Sequence, residues 1–154
     1  MMKSLASRLS RQPVLEVDAH CDGPCGVYDP ASARIAAEAA LSMTKKILAL
    51  EKPGDDAAAM AAYLNTVARF VAIKEEQAEV AKHELLILWT DYFKPKHLAD
   101  FPDLHEVFWN AAKEASYTKQ EVSLHHAENL MAACKTIHEM FWKSKGRDIA
   151  WYTT

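Results

Sequence analysis

An all-α chain, folded as an antiparallel four-helix bundle, is what this sequence predicts, and three observations carry the expectation. Glycine is scarce, with four in 154 residues, and the six prolines fall outside the long periodic stretches. Apolar residues recur through those stretches in alternating steps of three and four, the spacing of one helical face. The connections between them are short, which sets consecutive helices antiparallel.

Each element has its own signals. Asp29-Pro30 supplies an N-cap followed by proline at the first helical position. A first helix then runs from about 30 to 51 on Ala36, Ala40, Met43, Ile47 and Leu50, and Pro53-Gly54 ends it. Asp55 or Asp56 opens a long second helix to about 93, with Met60, Leu64, Val67, Val71, Ala78, Ala81, Leu85 and Leu88 inward. Lys74 interrupts that stripe. Lys94-Pro95 stops the helix, and Phe101-Pro102-Asp103 introduces a third through about 115, with Leu104, Val107, Phe108 and Ala111 inward. Thr118-Lys119-Gln120-Glu121 has the spacing of a capping box and starts the fourth. Ala127, Leu130, Cys134, Ile137 and Phe141 form its inner face, and Gly146 ends it.

With 50% apolar and 25% charged residues, the chain is one ordinary globular domain. Its net charge is −3; residues 1–19 hold Lys3, Arg8 and Arg11 against Glu16 and Asp18, so the remainder carries −4. That balance argues against a nucleic-acid partner, and no apolar segment of the ~20 residues a membrane span needs is present. The first 19 residues also lack the apolar run, ~7 residues or more, of an export signal. Val17-Asp18-Ala19 does end in the small-residue manner of a cleavage site, which keeps export as a minority reading, but a cytoplasmic protein trimmed by a dedicated processing peptidase fits these residues better. The expected organisation is a leader (1–19), a metal-binding hook (20–29), a bundle (30–146) and a tail (147–154).

The chemistry concentrates in the hook, His20-Cys21-Asp22-Gly23-Pro24-Cys25-Gly26-Val27-Tyr28. A cut between Ala19 and His20 turns the His20 α-amine into a ligand. That amine, the Cys21 amide nitrogen and the Cys21 sulfur then close two fused five-membered chelate rings. Gly23-Pro24 lets the chain reverse so that Cys25 supplies a fourth in-plane donor, and the His20 imidazole remains for an axial position. Two nitrogens and two thiolates in a plane suit Ni(II) or Cu(II), whereas zinc favours a tetrahedron. Thiolate and amide donors also stabilise a higher oxidation state, so the site is expected to do one-electron redox chemistry. While the leader is attached the amine is an ordinary amide, which removes a ligand and is expected to keep the site from loading early.

The register His20, Cys21, Pro24, Cys25, Tyr28 resembles the hook of the nickel-dependent superoxide dismutases. Asp29-Pro30 and Ala33-Arg34-Ile35 agree with that family, as do Ile73-Lys74-Glu75, Ala81-Lys82-His83 and the run Leu88 to Pro95. The resemblance spans roughly residues 20 to 145. It implies one nickel per subunit, held by His20, Cys21 and Cys25 and cycling between Ni(II) and Ni(III) as superoxide is disproportionated to O2 and H2O2. It further implies that Asp22 and Tyr28 line a small cavity over the metal, that Tyr92 and Lys94 approach it, with Asp91 fixing their loop, and that the protein is a homohexamer. Lys94 is then the local positive charge for an anionic substrate in a chain that is negative overall. Two positions depart from the pattern: Ala36 and Gln77 stand where the family carries a glutamate and an arginine that orient the axial imidazole.

Other readings of the same residues are a non-enzymatic nickel- or copper-binding bundle, and a hook merely tied by a Cys21–Cys25 disulfide. Cys134, on a helix seam, reads as a buried apolar residue. The other six histidines read as solvated or hydrogen-bonded groups away from the metal.

Overall fold

The computed structural model describes residues 25–154, and among them there are four α-helices and no strand. Helix α1 spans Ala31–Leu48, α2 Ala57–Ile87, α3 Leu104–Gln120 and α4 Leu124–Ser144. A π-helical turn, Leu88–Tyr92, and a short 3-10 turn, Pro95–Ala99, link α2 to α3. Each helix packs on its neighbours in sequence and α4 closes back onto α1, the up-down-up-down ring of an antiparallel bundle.

The expected caps are present where side-chain chemistry dictates them. An Asp29 carboxylate oxygen accepts the Ala31 N–H at 2.8 Å, and Asp56 accepts from Ala58 at 2.8 Å. At the far end, Gly146 adopts φ = +65° and the Arg147 N–H reaches back to the Trp142 carbonyl at 2.9 Å. That left-handed residue and long return bond close the last turn of α4.

Alanines lead the α1 seam, Ala33, Ala36, Ala37 and Ala40, and let α2 and α4 approach closely. Larger side chains fill the other half of the core: Phe93, Phe101, Leu104 and Phe108 face Leu130, Ile137 and Phe141. All five residues expected on the inner face of α4 are buried, including Cys134.

The first helix ends at Leu48, three residues short of 51, so Leu50 falls outside it, and two further expectations about the helices fail. Fourth-helix initiation at Thr118 is wrong: α3 runs on to Gln120, and α4 starts after Ser123, whose hydroxyl accepts the His126 N–H at 3.4 Å. Thr118 spends its hydroxyl on the Glu114 carbonyl one turn back, at 2.8 Å. The inward stripe on α2 is also too long, for no residue of α2 before Lys74 is fully buried and Leu64 is 58% exposed. With 31 residues, α2 outruns partners of 18, 17 and 21, so its first turns extend beyond the shared core.

Candidate functional site

The described chain opens on Cys25, an exposed free thiol. Gly26 follows at φ = +66°, a conformation glycine takes without a Cβ clash. Tyr28 comes next and packs, half-buried, against the core cluster. With Asp29 and Ser32 it forms one wall of a cleft of about 150 Å³; Glu84, Ile87 and Leu88 near the end of α2 form the other.

Tyr92 reaches this corner because α2 widens into the π-helical turn. The Phe93 N–H bonds to the carbonyl of Leu88, five residues back, at 3.0 Å, and such widened turns re-aim side chains. The Tyr92 ring lies 5.5 Å from that of Tyr28, centroid to centroid, and 4.5 Å from that of Phe141 on α4. His97 stacks on it at 5.7 Å with planes 14° apart, and the Tyr92 hydroxyl lies 2.6 Å from Ser144 Oγ.

The two expected aromatic residues are therefore brought together. Lys94 is not part of the same cleft wall: it is exposed and lines a separate cavity of about 360 Å³ beside Trp89, Phe93 and His105. Its backbone N–H donates to His97 Nδ1 at 3.0 Å. Asp91 accepts a bond from its neighbour Thr90 at 2.8 Å. A cation that sequence reasoning missed, Lys145 at the end of α4, stands 5.2 Å from the centre of the Tyr92 ring.

His97 also matters more to this corner than its sequence suggested, though not as a metal ligand. Burial, aided by the Lys96 charge, holds its pKa below the ordinary histidine value, which suits a neutral ring accepting at Nδ1. Cys134 is inert by contrast: burial pushes its thiol up to about 12. Ala36 and Gln77 leave the orienting positions without charge, Ala36 being buried in the core and Gln77 partly exposed. Glu38 does not substitute for them. Its carboxylate bonds to Arg34 at 3.2 Å and to Thr154 of the carboxyl-terminal tail at 2.6 and 2.7 Å.

His20, Cys21 and Asp22 lie outside the described residues. Among those described, no cluster of three or more histidine, cysteine or acidic side chains could hold a metal. Cys25, an exposed free thiol, has the chemistry of one thiolate donor of a metal set.

The fold and this corner define a class: an all-α bundle with a thiol-bearing segment leading into its first helix beside paired tyrosines. A family model of nickel-containing superoxide dismutases matches residues 15–145. The chain is 40% identical over 133 residues to a nickel superoxide dismutase of Streptomyces seoulensis, which covers 86% of this chain and 93% of that one. It is 37% identical to the Streptomyces coelicolor enzyme over the same shares. A native nickel superoxide dismutase crystal structure superposes with a TM-score of 0.70 at 36% identity, covering 82% of this chain and 99% of that chain. The chain belongs to the nickel-containing superoxide dismutase family.

Proposed function

We propose that this chain is a nickel superoxide dismutase, converting two superoxide ions and two protons to O2 and H2O2. The carrying observation is the family match over residues 15–145, in a sequence that keeps His20, Cys21 and Cys25 in ligand register. Nickel, when bound, supplies the one-electron couple. The amine and imidazole of His20, the amide and sulfur of Cys21 and the sulfur of Cys25 hold it, once a peptidase has cut before His20. Until the cut, the His20 nitrogen is an ordinary amide, a far poorer donor than the free amine.

The tyrosines restrict and order the approach. Tyr28 and Tyr92, with ring centres 5.5 Å apart, narrow the approach to small ions and water, and the family resemblance gives Asp22 a part in the same task. Lys94 and Lys145 offset a negative chain for an anionic substrate. Assembly as a homohexamer is supported by apolar side chains left exposed on α2 and α3, among them Leu64, Ile73 and Trp109. A cytoplasmic location is supported by the leader composition; among the described residues no helix is long and apolar enough to cross a membrane.

The test is co-production with the processing peptidase, followed by intact mass, metal analysis and a superoxide assay. A chain beginning at His20 with one nickel and dismutase activity is the expected result. A correctly cut, nickel-loaded chain without activity sinks the proposal.

A further inference from the structure

We infer that Ser144 is a positioning residue for the superoxide reaction: it accepts the hydrogen bond of the Tyr92 hydroxyl, so that Tyr92 meets an approaching anion as a hydrogen-bond acceptor and not as an acid. The inference rests on the proposed function and narrows a question that function leaves open, by removing Tyr92 from the groups that deliver the two protons.

A serine hydroxyl has one hydrogen to give. Ser144 gives its hydrogen to the Phe141 carbonyl at 2.7 Å, one turn back in α4. The 2.6 Å contact between Ser144 Oγ and the Tyr92 hydroxyl must then run from tyrosine to serine. The chain ends there, because a backbone carbonyl has no proton to pass on. Nothing along it can recharge Tyr92 after a proton is lost.

The ring has little freedom to escape this bond. His97 stacks on it at 5.7 Å, and Phe141 and Phe93 press on it at 4.5 and 4.9 Å. An anion near Tyr92 therefore finds oxygen lone pairs, unless the Ser144 bond is given up. Protons for peroxide must come from elsewhere in the cavity.

Azide, an anion of superoxide's charge, reads this directly in the processed, nickel-loaded protein. Ser144→Ala frees the phenolic hydrogen, and azide affinity should rise about three- to tenfold, as one charge-assisted hydrogen bond is gained. Ser144→Thr keeps an acceptor and should match the parent; adding Tyr92→Phe to Ser144→Ala should erase the gain. A merely structural serine predicts weaker or unchanged binding in Ser144→Ala, and either result overturns the inference. The metal-free protein gives a second reading by proton NMR. A Tyr92 hydroxyl resonance protected from solvent exchange, absent in Tyr92→Phe, should vanish in Ser144→Ala, and its persistence there would also overturn it. Loss of dismutase activity in the unmutated loaded protein would sink the proposed function alone, since the NMR result does not depend on nickel.

Discussion

At the scale of single residues, His97 shows how one side chain can organise two others. Its ring face supports Tyr92 and its Nδ1 accepts the Lys94 N–H at 3.0 Å. That bond needs the neutral ring, which burial first and Lys96 second favour, while Asp100 pulls weakly the other way. Because the folded pKa lies below the unfolded value of about 6.5, the unfolded chain takes up the proton first as pH falls. The contribution of His97 to stability is thus complete above about 6.5 and is lost through and below that value. Thermal unfolding between pH 8 and 5 should fall more steeply in the parent than in His97→Ala; parallel curves would contradict the arrangement. The family resemblance flagged Tyr92 and Lys94, while His97 was one of six histidines read only as solvated or hydrogen-bonded, with no part in this corner. Its role depends on the π-helical turn and the 3-10 turn folding Tyr92 and His97 face to face, which no periodicity encodes.

At the scale of elements, Lys74 explains both an anomaly in the sequence and an error in reading it. A lysine in the apolar stripe of α2 looked like an interruption, yet it is 1% exposed. Its ammonium bonds to the carbonyl of Thr118 and to those of Lys119 at 2.8 Å and Glu121 at 3.0 Å. These carbonyls end α3, where orphan acceptors and the negative end of the helix dipole gather. A cation delivered from α2 thus terminates α3 after Gln120, and the capping-box pattern at Thr118 is overridden. The long helices were legible from local spacing because each carries its own caps and face. The α3–α4 boundary was not, because its terminator is more than forty residues away in sequence. Lys74→Met keeps the bulk and removes the donors, leaving buried carbonyls unpaired. It should cost about 2–4 kcal/mol in urea unfolding, with the loss of protection in hydrogen exchange greatest at 118–121; a change under about 0.5 kcal/mol would assign the capping elsewhere.

At the scale of the whole molecule, the bundle and its ring of packed helices follow from four amphipathic segments with short connections, and the sequence sufficed for them. The carboxyl-terminal tail did not yield in the same way. Ile149, Trp151 and Tyr152 pack on their own chain. The Ile149 carbonyl meets His138 Nε2 at 2.8 Å, Trp151 packs on the His138 ring, and Tyr152 covers the buried Arg34 guanidinium at 4.2 Å. Thr154 then bonds twice to Glu38, 116 residues away in sequence. The tail is thus a clasp between α4 and the first turns of α1, which lead directly from the hook, and it lies past the span that the family model matches. A chain ending at Arg147 forfeits these bonds and the cation–π contact, together about 1–2 kcal/mol, and should melt about 3–6 °C lower near pH 7. The Thr154 hydroxyl bond, with help from Arg34, holds the Glu38 carboxyl below its ordinary value of 4.5. Its share of the clasp is therefore full above that value and is lost as pH falls below it. The difference in melting temperature between full-length and shortened chains should consequently narrow from pH 7 to pH 4, and a difference that stays constant would show that the aromatic contacts alone hold the tail.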